Sequence, residues 1–458
     1  MQSTTLSVAL IGSILVLVLR PPYALAAYIA ALVWYPDYLR ISIGTIDISV
    51  GRIVITVLLL RCLCNSQLRR NFIWSRLDTW VTLSMVIYVG IFCITRPLSP
   101  ALENQGGFLM DTWLAYITVR LIVTDKAALI SFIKATSVPL AALAILGIFE
   151  CVTHTYFFLQ LERFRSWNTP VDEIIVEGRW GLSRAMGPFS HSIMFGSCFV
   201  MFLPLIWSLR HQRGYWGKLA YPLSAAVIIG ALSSMSSGPW VMLIVMIFCL
   251  AMERQKRWVK PLLILLVLSC IGIAIISNRP FYRVILSYAN PIGGDWWHRA
   301  ILMDCAIADF GKWCWLGYGG QDPGWGARVG DSSTDITNEF ILAGVEYGML
   351  GIIFLCAVLV TAFRGLVRSS RETTDKELKS LYWSLGSILF SIIVIWQSVS
   401  FFGPMTALFY STLGIIASSF TFAKKDEGFQ HQLLGTDNTR YQYPAQNNIL
   451  CAFDGIRK

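Results

Sequence analysis

The sequence predicts an all-α polytopic integral membrane protein. Of its 458 residues, 55% are apolar and only 14% are charged, and the mean hydropathy is +0.59. Apolar stretches of about 20 residues, the length that spans a bilayer, recur along almost the whole chain. The short breaks between them are rich in lysine and arginine at regular intervals. Soluble domains do not combine these features.

The apolar stretches predict about 12–14 transmembrane helices. The first stretch, Leu6 to Leu19, is predicted to be a retained span, because no basic region precedes it and Arg20-Pro21-Pro22 follows without a cleavage site. The predicted spans are 4–20, 23–35, 46–64, 78–95, 107–123, 135–152, 192–208, 219–237, 239–252, 261–277, 337–363, 381–400 and 402–422.

Charge sets the predicted orientation, since basic loops stay in the cytoplasm. Basic residues cluster after the third, seventh, ninth, eleventh and thirteenth spans. This alternation leaves three longer breaks outside: 95–107, 153–191 and 278–336. Residues 1–423 then form the membrane domain, and the polar tail 424–458 is predicted to be a disordered cytoplasmic segment.

The net charge of +10 is explained by cytoplasmic loops beside anionic lipid, so we expect no nucleic-acid partner. Ten of the eleven lysines fall on the predicted inside and only Lys312 falls outside, whereas nine arginines remain outside. A guanidinium group binds phosphate oxygens in pairs, so the asymmetry predicts an anionic ligand outside; ordinary ion pairs with nearby acids are the alternative. These arginines are Arg96, Arg163, Arg165, Arg179, Arg184, Arg279, Arg283, Arg299 and Arg328, and the acids are Glu162, Asp172, Glu173, Glu177, Asp295 and Asp331.

The break 278–336 is too long for a structureless connection and is predicted to fold over the membrane domain. Its aromatic residues, Trp296 and Trp297 foremost, fit either interfacial anchors or a platform for sugar rings. We expect a short helix from Trp296 to Phe310 and a turn at 317–320. The cysteines indicate neither a disulfide framework nor a metal site; Cys305 and Cys314 are left unassigned.

Three stretches carry motifs. The first is Arg184-Ala185-Met186-Gly187-Pro188-Phe189-Ser190-His191, followed by Phe195-Gly196. The second runs from Trp296-Trp297-His298-Arg299-Ala300 to Trp315-Leu316-Gly317-Tyr318-Gly319. The third is Thr337-Asn338-Glu339-Phe340-Ile341-Leu342 with Glu346-Tyr347-Gly348-Met349-Leu350-Gly351.

In order, spacing and loop placement, these stretches resemble the O-antigen polymerase and O-antigen ligase superfamily, which includes Wzy-type exopolysaccharide polymerases. The resemblance covers about residues 180–355. It implies a GT-C-like membrane glycosyltransferase of the bacterial inner membrane with two long periplasmic loops. It also implies an undecaprenyl-diphosphate-linked glycan as donor, no cofactor or metal, and a chain-length regulator or export complex as a further partner.

The sequence departs from the family at Thr337, where ligases carry a histidine before the asparagine. This difference favours a polymerase. On the resemblance, arginines would hold the diphosphate, and the acceptor would lose its proton to a nearby base. The predicted diphosphate ligands are Arg184, Arg299, Arg283 and Arg179; the candidate bases are Asp335, Glu339 and His298, with His191 as a competitor; the predicted glycan contacts are Trp296, Trp297, Asn338 and His191.

Two other functions stay open at this stage. One is a ligase that transfers a lipid-linked glycan to a lipid A core or a protein. The other is a flippase or carrier, which polar intramembrane groups such as Arg52 and Glu150 would also suit. Carriers often show paired halves, and no internal repeat is evident here. The outward-facing motifs therefore favour an enzyme.

Overall fold

A computed structural model describes residues 2–44, 46–164, 178–288, 296–330 and 333–422. The tail 424–458, the side chains of Glu162 and Trp296, and the predicted charged residues Arg165, Asp172, Glu173, Glu177, Asp295 and Asp331 lie outside what is described. The fold is helical apart from one hairpin of strands β1 (Arg40–Ile43) and β2 (Ile46–Ser49). The helices are α1 (Gln2–Val18), α2 (Pro21–Trp34), α3 (Val50–Cys64), α4 (Ser66–Arg70), α5 (Arg76–Thr95), α6 (Leu98–Leu109), α7 (Ala115–Ile122), α8 (Lys126–Thr153), α9 (Ser192–Ser208), α10 (Tyr215–Ser233), α11 (Ser237–Ala251), α12 (Val259–Ile276), α13 (Phe281–Tyr288), α14 (Trp296–Ala308), α15 (Phe310–Trp313), α16 (Gly326–Val329), α17 (Glu339–Glu372), α18 (Lys376–Ile395) and α19 (Pro404–Ser419).

Each of the thirteen predicted spans coincides with a helix, and the predicted helical class is confirmed. Within the described part of the chain, seven helices are long and apolar enough to cross a membrane, judged by length and composition. One of these is the continuous run Ser237–Ile276, which bends at Gln255. Polar caps define several ends: Ser75 and Asp78 form a capping box at α5, and Asp125 caps α8.

Two regions differ from the prediction. The third span starts at Val50 rather than at residue 46, because residues 46–49 pair with residues 40–43 in the hairpin. The predicted loop 95–107 is mostly helix α6, which continues through a π-helical turn, Met110–Leu114, into α7. The backbone N–H and C=O groups of a polar segment beside a membrane span still need hydrogen-bond partners. A helix or a strand pair supplies them within the chain.

Helix α9 is the centre of the bundle, with every residue from Met194 to Ile206 buried. It packs against α8, α10, α11 and α18. Gly196 permits the closest approach, since a Cβ there would lie 2.5 Å from Ser234 Oγ. By contrast, α12 has no buried residue. The end of the first motif therefore lies in the most completely buried of the seven candidate membrane spans.

Ion pairs join the helices at the end of the bundle predicted to face the cytoplasm. Arg120 Nε lies 2.8 Å from Asp78 Oδ1, with both side chains almost fully buried. Arg210 Nη2 lies 2.8 Å from Glu253 Oε2. Lys126 Nζ lies 2.9 Å from Asp375 Oδ2. The loops that carry the motifs contact one another at the other end, which we call the motif end.

Candidate functional site

Segment 396–404, between α18 and α19, joins several loops at the motif end. The Glu339 backbone N–H donates to Trp396 O at 3.0 Å, and the Phe401 N–H donates to Glu339 Oε2 at 2.8 Å. The Ser400 hydroxyl donates to Ile336 O at 2.8 Å. The first turn of α17 is therefore held against this segment, with the Glu339 carboxylate at the contact.

Asn338 is a structural residue as well as a motif residue. Its Oδ1 accepts from the N–H groups of Phe340 at 3.0 Å and Ile341 at 3.1 Å, which caps α17. Its Nδ2 donates to Gln397 O at 3.1 Å. Since the amide already has partners at both ends and is buried, Asn338 positions Glu339.

Arg184 lies at the start of α11 rather than in open solvent. Its Nη2 donates to Ser236 Oγ at 2.9 Å, and Ser236 Oγ lies 3.0 Å from Ser192 Oγ. In the first turn of α11, a Cβ on Gly238 would lie 3.3 Å from Val399 Cγ2. The arginine therefore belongs to the same cluster of loops as Glu339.

Glu150, near the end of α8, holds the loop that follows Arg184. Its Oε2 accepts from the N–H groups of Met186 at 3.1 Å and Gly187 at 2.8 Å. The side chain is fully buried, and its Oε1 has no hydrogen-bond partner within the described ranges. A buried carboxylate used in this way fixes the path of the first motif.

His191 caps α9 by accepting the Ile193 N–H on Nδ1 at 3.0 Å. Its ring lies edge-on to Phe402, with centroids 6.5 Å apart. Burial, and then the nearby Arg184 guanidinium, lower the pKa of His191 to about 4. The imidazole is therefore neutral at pH 7 with its proton on Nε2, so it can donate a hydrogen bond there.

Arg179 lies on a short turn, where its backbone pairs with that of Leu182 in both directions at 2.8 and 3.0 Å. Its Nη1 is buried and finds no acceptor among the residues that the structure describes. The side chain therefore retains a donor that an anion could use.

The second and third motifs dock on each other. The Tyr318 N–H donates to Val345 O at 2.6 Å and the Met349 N–H donates to Cys314 O at 2.8 Å. These bonds reach α17 where its helical geometry is broken at Gly348, with φ 68° and ψ −166°. A Cβ on Gly348 would lie 2.2 Å from Trp315 O. The glycines of both motifs serve this close backbone contact.

The other predicted residues lie in 278–336, which has a small core of its own around Leu302, Cys305, Trp313 and Trp325. Arg283 forms an ion pair with Asp304, which also accepts the Tyr282 hydroxyl. Burial raises the pKa of Asp304, but the bonds from Arg283 and Tyr282 outweigh it, so the net shift is downward. Arg283 is thus engaged before any ligand arrives.

The remaining residues of this loop differ in exposure. Trp297 is about half exposed, and its ring lies edge-on to His298 with centroids 6.0 Å apart. Arg299 is half-buried and Asp335 is exposed. The expected helix from Trp296 ends at Ala308, and α15 follows it.

Asn338 and Glu339 therefore bond to segment 396–404, His191 lies edge-on to its Phe402, and Arg184 approaches it through Ser236 at the start of α11. The other predicted residues, Arg283, Trp297, His298 and Arg299, lie in 278–336 instead. Neither segment 396–404 nor Ser236, the partner of Arg184, is indicated by the sequence motifs. The charged residues behind the segment, Asp37, Arg40 and Asp111, are not indicated by them either, and Arg52 is indicated only as an intramembrane charge. Charges within or beside predicted spans are the signal that would have found them.

Comparison with models of known protein families and with curated proteins gives no match to this chain. We therefore argue its function from the chemistry of these residues. What the structure establishes is a polytopic helical protein with several helices suited to a membrane and a polar cluster at one end of the bundle.

Proposed function

We propose that this protein polymerises undecaprenyl-diphosphate-linked oligosaccharides into exopolysaccharide or O-antigen on the periplasmic face of the bacterial inner membrane. The observation that supports this most is that residues of the first and third motifs lie around segment 396–404. Glu339 bonds to Phe401 and His191 lies edge-on to Phe402, while Arg184, from the same motif as His191, bonds to Ser236 at the start of α11. This region therefore contains a guanidinium group, a neutral imidazole and a carboxylate. Together they match the needs of glycan transfer from a diphosphate.

In this reaction the bond between the anomeric carbon and the diphosphate oxygen breaks, and the oxygen leaves with the electron pair. A hydroxyl of the acceptor sugar forms the new bond to the anomeric carbon and loses its proton. The protein must stabilise the charge that develops on the diphosphate and accept the proton.

Arg184 suits the first task. A planar guanidinium binds two phosphate oxygens at once, and the bond to Ser236 already orients it. Arg179, on the same loop, supplies a second guanidinium with a buried donor. Arg299 and Arg283 lie further away, in 278–336. Arg283 would have to leave its ion pair with Asp304 in order to bind the diphosphate.

Glu339 is our candidate for the base. Its Oε2 is held by the Phe401 N–H, so the carboxylate has one orientation at the edge of the bundle. His191 is neutral and can orient a sugar hydroxyl. His298 and Asp335 are the competing bases; the contacts of Glu339 with segment 396–404 distinguish it from both.

The test is transfer from purified lipid-linked repeat units by the full chain in liposomes. We expect Arg184→Ala to lower the rate by about 100-fold or more, as for the loss of one preorganised donor. Arg184→Lys keeps the charge but not the planar fork and should also be impaired. Glu339→Gln removes the base and should cost about 100-fold or more. Arg368→Gln, an exposed pair member far along α17, is the control.

Normal polymer yield and length from both Arg184→Ala and Glu339→Gln, in protein that inserts normally, would show that this site is wrongly assigned. The product also separates the other functions. Glycan joined only to an added lipid A core would indicate a ligase, and translocation without any new bond would indicate a carrier.

A further inference from the structure

A polar cavity lies directly behind segment 396–404. Its volume is about 100 Å³, and its walls come from the end of α2, the hairpin, the start of α3, the π-helical turn and the start of α19. A cavity of this size holds several ordered waters or part of one sugar ring. None of the three motifs contributes to it.

Four charged residues line this cavity: Asp37, Arg40, Arg52 and Asp111. Arg52 holds Asp111 with two nitrogens, Nη2 to Oδ2 at 2.6 Å and Nε to Oδ1 at 3.2 Å. Arg40 Nε donates to Asp37 O at 2.9 Å. Burial, followed by the neighbouring Arg52 guanidinium, lowers the pKa of Arg40.

Such a cluster is costly to keep for stability alone. The free energy lost when charges leave water is seldom exceeded by their mutual attraction. Apolar side chains of similar volume would stabilise the fold equally well. Charges close to a bilayer interior usually serve a ligand or a pathway. A π-helical turn, often found at functional sites, also presents Asp111.

The balance of charge indicates the ligand. An anion would meet the carboxylates of Asp37 and Asp111, and a cation would meet the two guanidinium groups. Guanidinium groups only donate hydrogen bonds and ionised carboxylates only accept them. A sugar hydroxyl does both, so neighbouring hydroxyls can bond to an arginine and an aspartate together. Tyr35 adds an aromatic ring to the wall.

The cavity adjoins the proposed reaction site. Gly403 has a φ of 57°, and a Cβ there would lie 2.4 Å from Asp37 Oδ2, so the aspartate backs directly onto segment 396–404. The preceding residues of this segment, Phe401 and Phe402, contact Glu339 and His191. A sugar ring held in the cavity would therefore lie on the other side of this segment from the candidate base.

We propose that this cavity is a subsite for the acceptor glycan, binding between Asp37 and Arg40 the hydroxyl edge of one neutral ring other than the ring that reacts. The assignment of the ring to the acceptor rests on the proposed function. The binding of a neutral sugar does not.

The experiment measures binding and transfer separately on the full chain in nanodiscs. The binding probe is the labelled oligosaccharide released from the lipid-linked repeat unit by mild acid, followed by equilibrium dialysis; inorganic diphosphate is the second probe. Asp37→Asn removes one charge without changing shape. Ala31→Leu fills the cavity from α2 and keeps all four charged residues. Arg210→Gln is the matched control. The ion pair of Arg210 with Glu253 is about as exposed as the Arg52–Asp111 pair of the cavity, but it lies at the opposite end of the bundle.

Asp37→Asn should weaken oligosaccharide binding by about tenfold or more, the loss expected for a hydrogen bond to a charged group. Ala31→Leu should weaken it at least as much, because the larger side chain takes up the space that the sugar ring needs. Arg210→Gln should change it less than about twofold, since its pair lies at the other end of the bundle. In transfer, both cavity variants should raise the KM for the acceptor more than they lower kcat.

Two binding results would overturn the proposal. Oligosaccharide that does not bind, or binds all variants equally, would exclude a sugar subsite. Diphosphate binding that Asp37→Asn strengthens, without oligosaccharide binding, would indicate an anion site instead. If the binding pattern holds but the wild-type protein transfers nothing, the proposed function fails and the sugar site remains. If transfer occurs and the cavity variants behave as wild type, the proposed function stands and the sugar site is wrong.

Discussion

Buried carboxylates serve three different purposes at the scale of single residues. Asp78 is fully paired: Arg120 and the Tyr116 hydroxyl both donate to it. Glu150 accepts backbone N–H groups and holds a loop. Glu339 accepts one backbone N–H at the edge of the bundle. Glu339 lies against segment 396–404, which His191 also contacts, and this is why we assign the base to Glu339.

Glu150 leads to a prediction about the first motif. Glu150→Ala removes the acceptor for the Met186 and Gly187 N–H groups and should destabilise the protein by about 2 kcal/mol or more, because each buried donor left without a partner costs about 1–3 kcal/mol. Glu150→Gln keeps one carbonyl oxygen and should lose less. The measurement is the temperature at which half of the detergent-solubilised protein stays monodisperse.

Glu372→Ala is the matched control for Glu150, because this carboxylate lies near the surface in an i,i+4 pair with Arg368 and should contribute well under about 1 kcal/mol. Equal loss of stability from Glu150→Ala and Glu372→Ala would mean that Glu150 does not hold the loop.

At the scale of elements, α17 links the two parts of the motif end. Its first turn contacts segment 396–404, and its break at Gly348 receives residues 314–318 of the outer loop. Tyr347, beside the break, stacks on Tyr88 of α5 with centroids 4.1 Å apart. The break therefore positions the loop 278–336 relative to the bundle, while the helix itself positions Glu339.

The break in α17 gives a second prediction. Gly348→Ala places a methyl group against Trp315 O in a backbone conformation that non-glycine residues avoid, which costs about 1–3 kcal/mol before the steric clash. We expect a lower thermal midpoint and faster proteolytic cleavage within 278–336, because the bonds from Tyr318 and Met349 would be displaced.

Gly386→Ala in α18 is the control, since its Cβ would meet only Leu366 Cδ1 at 4.0 Å, and alanine favours a helix by about 0.5–1 kcal/mol over glycine. If the two substitutions have the same effect on the thermal midpoint and on proteolysis, the close contact at Gly348 does not support the loop.

At the scale of the whole molecule, the two ends of the bundle differ in their polar contacts. The end predicted to be cytoplasmic carries ion pairs that join helices, such as Arg210 with Glu253 and Lys126 with Asp375. The motif end carries hydrogen-bonded loops and the polar cavity. The motif end also contains the Arg52–Asp111 ion pair, so the basic loops at the first end are the basis of our proposal that the reaction takes place on the outer face.

Orientation can be tested directly in a variant without native cysteines. A membrane-impermeant maleimide should label Gln321→Cys in 278–336 in intact cells, and Arg213→Cys between α9 and α10 only after permeabilisation, because basic loops stay inside. Both positions are exposed in the structure, so access depends only on the side of the membrane. The opposite labelling pattern would place the motif end in the cytoplasm and contradict an outward-facing transferase.

The sequence by itself predicted the helical membrane class and the approximate position of each span, and it singled out the stretches around Arg184, Trp315 and Glu339. These properties are local. A lipid environment leaves the backbone few ways to satisfy its hydrogen bonds other than a helix, so apolar length alone predicts a helix. The break 95–107 contains helix α6, and residues 46–49 at the predicted start of the third span form strand β2, because a hydropathy criterion does not detect helices and strands that contain polar residues.

Only the tertiary structure decided which residues the charged side chains contact. Asp37 and Gly403 lie near opposite ends of the chain, and their contact leaves no periodic pattern in the sequence. The same holds for Arg184 with Ser236 and for Glu339 with Phe401. Each depends on how helices from distant parts of the chain pack, which is set by shape complementarity over many small contacts rather than by any one segment.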